Sequence, residues 1–285
     1  METFNTACSC DNNKEKDILA QHGEVMDNRT VQRYFLEAFG QVNRAGTLPD
    51  IEVVFYPYAG LNNTIRVRQR RVFVRISDVL SDAPLPVIRA IAFILVSKLF
   101  RRRVPKSWDL LYRTYTTSPR VVKSAEQSRR RRGRKMVSGP VGAFYDLETI
   151  FARLNSYYFD SSLEQPTLSW SQRCTYRIFG HHDPVHNTIV VSRTLDAENV
   201  PRYVLEYIMY HEMLHMIHRP KITNGRWYYH TSEFKRDEEQ FAYYNEATKW
   251  FEELRVKRSR PGRKSRSTKK ASIDSYRKKP AAGKR

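Results

Sequence analysis

The sequence predicts an α+β fold, and three observations lead to it. The stretch from Val204 to Tyr210 is apolar on nearly every side, as in a helix buried in a core, with Pro201 where it can begin and Pro220 where it stops. Upstream, Gln165–Trp170 and Asn187–Ser192 are short apolar runs that read as strands, and Leu147–Tyr158 reads as an amphipathic helix. The first half echoes this plan with an amphipathic run from Val31 to Phe39, strands at Leu48–Val54 and Val72–Val74, and an apolar helix from Pro86 to Leu99. Helices around a small, mostly antiparallel sheet satisfy both halves. A further helix is expected from Ser232 to about Arg255.

The echo has a register. Pro49 and Pro166, like Val72–Val74 and Ile189–Val191, stand 117 residues apart, while Pro86 and Pro201, like Pro105 and Pro220, stand 115 apart. A loop between strand and helix absorbs the difference cheaply. Order kept over a helix, two strands and a second helix points to a duplicated unit.

The buried helix carries His211-Glu212-Met213-Leu214-His215. Residues four apart lie above one another on a helix, so the two imidazoles can grip one Zn²⁺ with Glu212 beside it. Unpaired polar groups on so apolar a helix would cost several kcal/mol, roughly. A catalytic zinc takes three protein ligands, and the third corner lies among His218, His230, Glu233, Glu238 and Glu239. His218 falls a turn beyond the metal. His230 is favoured, because the polar turn Thr223–Arg226 lets the chain double back and His230 opens the next amphipathic run. At the offset of 115, the motif positions fall on Val96, Ser97, Phe100 and Tyr115, which cannot rebuild the site.

Tyr210 through His215, followed by His230-Thr231-Ser232-Glu233-Phe234, resembles the SprT-like metallopeptidases, relatives of the Spartan DNA–protein crosslink protease. The resemblance covers about residues 147 to 251 and implies a zincin-like domain holding Zn²⁺ through His211, His215 and His230. It also implies that the strand Asn187–Val191 holds an extended substrate by main-chain hydrogen bonds. Thr231 stands where the family pattern has glycine, a change that a helix N-terminus tolerates. No Cys-x-x-Cys ribbon follows, so the DNA-binding element of many relatives is absent or replaced.

The expected organisation is a polar segment over 1–29, a degenerate metal-free copy over 30–120, a basic linker over 121–141, the SprT-like domain over 142–256 and a basic tail over 257–285. The formal charge of +20 is concentrated in the linker and the tail. Arg129, Arg130, Arg131, Arg132, Arg134 and Lys135 form one block, and Arg263, Lys264, Lys269 and Lys270 belong to another. Both suit non-specific contact with DNA or RNA phosphates, and neither interleaves aromatic residues for base stacking. Cys8, Cys10 and Cys174 are too few for a disulfide framework, no signal pattern opens the chain, and Ala90–Val96 is too short to span a bilayer. A cytoplasmic protein without a membrane partner is the expectation.

The expected activity is hydrolysis of peptide bonds by a metal-activated water, with Glu212 as general base. The substrate is a protein or peptide, including proteins at nucleic acid. Tyr228, Tyr229 and His186 are the candidates for stabilising the oxyanion. The alternatives are a nucleic-acid-associated binding protein whose zinc is structural, with His218 closing the sphere, and a hydrolase with a non-peptide substrate.

Overall fold

The computed structural model describes residues 27–43, 48–133 and 137–259. The chain divides into two units, the first running to Ser128 and the second beginning at Arg129. Both are mixed α+β.

In the first unit, Asp27 caps α1 (Asn28–Val42) by accepting a hydrogen bond from the Arg29 amide. Three strands follow, β1 (Asp50–Tyr56), β2 (Thr64–Arg68) and β3 (Arg71–Ser77). Helices α2 (Leu85–Leu99), α3 (Lys106–Thr116) and the part of α4 (Pro119–Arg132) up to Ser128 complete it. The sheet order is β1-β3-β2, with β3 parallel to β1 and antiparallel to β2. Alternation along the strands turns Ile51, Val53, Val72, Val74 and Ile76 inward, where they meet Phe35 and Phe39 of α1 and Ile88 and Ile91 of α2. Gln69 and Arg70 form the β2–β3 turn with both φ angles positive, a geometry that Asn and Gly fill at least cost.

The second unit repeats this order. It runs through α5 (Leu147–Tyr158), β4 (Thr167–Trp170), β5 (Gly180–Asp183), β6 (Thr188–Val191) and α6 (Arg202–Ile217). The hairpin β7 (Lys221–Thr223) and β8 (Arg226–Tyr228) follows, then α7 (Ser232–Glu238) and α8 (Tyr244–Ser259). The sheet order is β4-β6-β5, again with one parallel and one antiparallel pair. Asp50 pairs with Arg71 in the first unit and Thr167 with Thr188 in the second, so both partners move by the same 117 residues. Pro84 caps α2 as Pro201 caps α6, also 117 apart.

Several expectations need correction. The sheets are mixed rather than mostly antiparallel, because the third strand inserts between the first and the second. The strand at Asn187–Val191 is β6, which is paired on both sides and cannot accept a substrate strand. The outer place in the sheet next to β6 belongs to β5, whose Gly-His-His-Asp sequence lacks the β-branched residues that mark a strand. The helix capping places His211, Glu212 and His215 opposite Ile94, Leu95 and Lys98 rather than Val96, Ser97 and Phe100. Beyond the long helix the echo ends, because Lys106 begins a helix whereas Lys221 begins the β7–β8 hairpin.

The stretch read as a linker is helical as far as Arg132, with Val121 and Ser128 buried and the Ser128 hydroxyl donating to the Tyr58 carbonyl at 2.9 Å. Residues 138–140 are bonded to β4, with Ser138 N donating to Ser169 Oγ at 2.8 Å and Trp170 Nε1 donating to the Pro140 carbonyl at 2.9 Å. The single helix expected from Ser232 is two, broken where buried Phe241 turns into the core and the Ala242 amide donates to the Tyr158 hydroxyl.

Candidate metal centre

Helix α6 is the centre of the second unit, with Val204–Tyr210 and Glu212–Leu214 all buried. Its buried Glu206 is neutralised by Arg153 and by Arg202, the latter at 2.7 Å. His211 and His215 stand one turn apart near its end. The hairpin then returns the chain, turning on Asn224 and Gly225 at positive φ as a tight hairpin requires. Thr231 caps α7, its hydroxyl accepting from the Phe234 amide at 3.3 Å, and this fixes His230 just ahead of the helix.

His211, His215 and His230 converge, with one ligand nitrogen from each lying within 4.8 Å of the others. His215 Nε2 and His230 Nε2 are 3.2 Å apart. Phe234, fully buried, forms the floor, its ring centroid 5.1, 4.7 and 4.9 Å from those of His211, His215 and His230. His211 Nδ1 is 2.7 Å from Glu238 Oε1, which also accepts from the Tyr207 hydroxyl at 2.8 Å. That bond commits Nδ1 as donor and leaves Nε2 free for a metal.

The electrostatics agree. Burial, reinforced by the neighbouring His211, His230 and His182, holds His215 down to about 3. Burial and His211 also lower His230, so both imidazoles are neutral at pH 7. Burial alone would raise Glu238, but the hydrogen bonds from His211 and Tyr207 outweigh it and hold the carboxylate below its ordinary range. Three imidazole nitrogens face one point, two of them 3.2 Å apart, and a shared cation would satisfy their lone pairs. This donor set fits a zinc ion.

Glu212 is 5% exposed, and burial raises it to about 7 against the opposing effects of His211 and a hydrogen bond from the His182 backbone. The side chain lies under β5 at Gly180, where a Cβ would come within 2.4 Å of Glu212 Oε1. Only glycine permits that approach. A cleft of about 720 Å³ opens beside this pair, walled by Phe179, Tyr207, Ile208 and Phe251.

Residues 147–258 match the SprT-like family. They form a SprT-like domain. The match begins at the first residue of α5 and ends within α8, so it spans the sheet, the long helix and the hairpin. No curated protein and no solved structure matches the chain.

Within the SprT-like domain the other named residues lie apart from the three histidines. His218 ends α6 with Nε2 2.8 Å from Asp237 Oδ2. Glu233 is exposed in side-chain terms and pairs with Lys221 at 2.9 Å, and Glu239 is exposed. His186 is held by Asp183 at 3.0 Å. Tyr228 and Tyr229 are exposed, with the Tyr229 ring 6.3 Å from that of His215. Arg129, Arg130, Arg131 and Arg132 are exposed in the last turn of α4, where cations also complement the helix dipole. Arg134, Lys135, Arg263, Lys264, Lys269 and Lys270 lie outside the described residues, as do Cys8 and Cys10. Cys174 is free and exposed. Among the described residues, no helix is long and apolar enough to cross a membrane. Sequence reasoning did not single out Gly180 or Tyr207, and it weighed Glu238 as a ligand rather than as the partner of one.

Proposed function

We propose that the SprT-like domain is a zinc-dependent peptidase, with His211, His215 and His230 holding the metal and Glu212 acting as general base. The observation that carries this reading is the pairing of three converging imidazoles with a buried carboxylate under Gly180. Zinc at such a site supplies Lewis acidity, activating a water and polarising a carbonyl. Glu212 takes the proton from the attacking water on its carboxylate and delivers it to the departing amine nitrogen. Glu238 orients His211, and Phe234 keeps the three rings in place. The cleft beside Glu212, walled by Phe179, Tyr207, Ile208 and Phe251, takes the side chains of an extended substrate.

His218 is engaged by Asp237 rather than turned to the histidine cluster, which favours an open fourth position over a closed structural sphere. The first unit is read as a metal-free copy of the second, supported by the common strand order and pairing register. In that copy Ile65 takes the place of Gly180, on the pairing of Ile65 with Val74 and Gly180 with Val191. Arg129–Arg132 and the basic tail are read as sequence-independent phosphate contacts that bring the domain to proteins on DNA or RNA.

Zinc content and cleavage of an unfolded protein substrate, with and without single-stranded DNA, test the function. Stoichiometric zinc and chelator-sensitive cleavage are expected. A protein that binds no zinc, or cleaves equally well without it, overturns the reading.

A further inference from the structure

The outer face of the first unit's sheet has no part in the metal site. Strand register sets its residues in rows, with Arg71 beside Arg68, Phe73 beside Arg66 and Arg75 beside Thr64. Arg66, Arg68, Arg71 and Arg75 are all exposed. Asp50 neutralises Arg71 at 2.7 Å, whereas among the described residues no ion pair engages Arg66, Arg68 or Arg75. Aromatic rings lie among these cations. Phe73 sits on the central strand with the Arg71 guanidinium 5.9 Å from its centroid, and Arg75 lies 4.6 Å from the centroid of Tyr56. The Tyr58 ring is 4.7 Å from that of Tyr56. A concave opening of about 450 Å³ lies over these rows.

The second unit gives an internal comparison. At the shared offset of 117, Arg71 becomes Thr188, Phe73 becomes Val190 and Arg75 becomes Ser192, and Thr188 and Ser192 are buried. The same sheet position is therefore built without arginine or an aromatic ring, so the fold does not demand them.

We propose that this face binds a single strand of nucleic acid, with Arg66, Arg68 and Arg75 on phosphates and Phe73 and Tyr56 stacking bases. Three guanidiniums that no carboxylate pairs among the described residues call for a polyanion. Half-exposed rings between them call for π faces presented edge-free. Unstacked bases offer those faces, and duplex bases do not. An acidic peptide would match the charge and make no use of the ring surface left exposed. The site is distinct from Arg129–Arg132, which carries no aromatic residue.

The test uses the full chain, treated with chelator so that cleavage does not enter. Binding of single-stranded oligothymidine, oligouridine and a duplex, each of about 12 nucleotides or base pairs, is measured across a salt series. Substituting all three residues (R66A, R68A and R75A) should weaken single-strand binding at least tenfold at low salt. The same variant should flatten the log K against log salt slope by about 2, from ~0.7 per lost phosphate contact. Phe73→Leu should cost about fivefold with the slope unchanged, as loss of stacking without loss of charge requires. Tyr56→Leu, at a more exposed site, gives the same readout if Phe73→Leu disturbs folding. Loss of DNA or of RNA binding supports the proposal equally. Unchanged affinity and slope in the triple variant overturn it, leaving a solvated face. An equal loss for duplex, or no effect of either aromatic substitution, overturns it as well.

Discussion

Replacing Glu212 by Gln tests the physical state of the proposed base without reference to any substrate. Burial raises this carboxyl from 4.5 to about 7, so the folded protein binds a proton there that the unfolded chain has released. Stability therefore falls as pH rises from about 4.5 to 7 and levels off above, because the native state binds the extra proton throughout that window. A shift of this size corresponds to about 3 kcal/mol. Gln fills the same space, accepts the same backbone hydrogen bond from His182 and carries no charge. In metal-free protein the variant should match or trail the wild type near pH 4.5 and gain on it by about 3 kcal/mol near pH 8. At a urea m-value of about 2 kcal/mol/M this moves the midpoint by about 1.5 M. Urea titrations of chelator-treated protein at several pH values measure the difference. The transition that the substitution moves is followed, since two units need not unfold together. His215 loses stability below pH 6.5 in both proteins, so its contribution cancels. A difference that does not change between pH 4.5 and 8 would refute the assignment of a carboxyl raised by burial.

Three other substitutions separate the parts of the site. Gly180→Ala should keep zinc and lose at least tenfold in cleavage, because its methyl displaces Glu212 Oε1; undiminished turnover would show that β5 does not press on the base. His230→Ala should lower both zinc content and cleavage, measured by metal analysis of dialysed protein, and full retention of both would remove His230 from the ligand set. Glu238→Ala should weaken zinc binding about 10- to 100-fold by releasing His211 Nδ1, which a competition titration with a chelating dye reads, and unchanged affinity would reduce Glu238 to a packing residue.

The helix motif, its burial and the doubling back that presents His230 were legible because they follow from local pattern. Spacing, capping prolines and an Asn-Gly turn act over a few residues. What the sequence concealed depends on contacts between distant segments. Gly180 is a glycine in an unremarkable tetrapeptide until β5 is laid over α6 and its missing Cβ meets Glu212. Glu238 reads as one of several acids on a surface helix, and only the return of α7 brings it to His211. The strand at residues 187–191 was legible as a strand, but its central place depends on β5, whose polar sequence hides it. The arginines of β2 and β3 belong to no block in the sequence. Alternation and cross-strand register gather them on one face.

The central claim is that Glu212 moves the proton at a site whose metal is held by other residues. Cleavage by wild-type protein and by Glu212→Gln, compared at equal measured zinc content, tests it most directly. The account predicts the same zinc stoichiometry in both and cleavage lower by ~100-fold or more in the variant. Equal zinc with equal cleavage would contradict it.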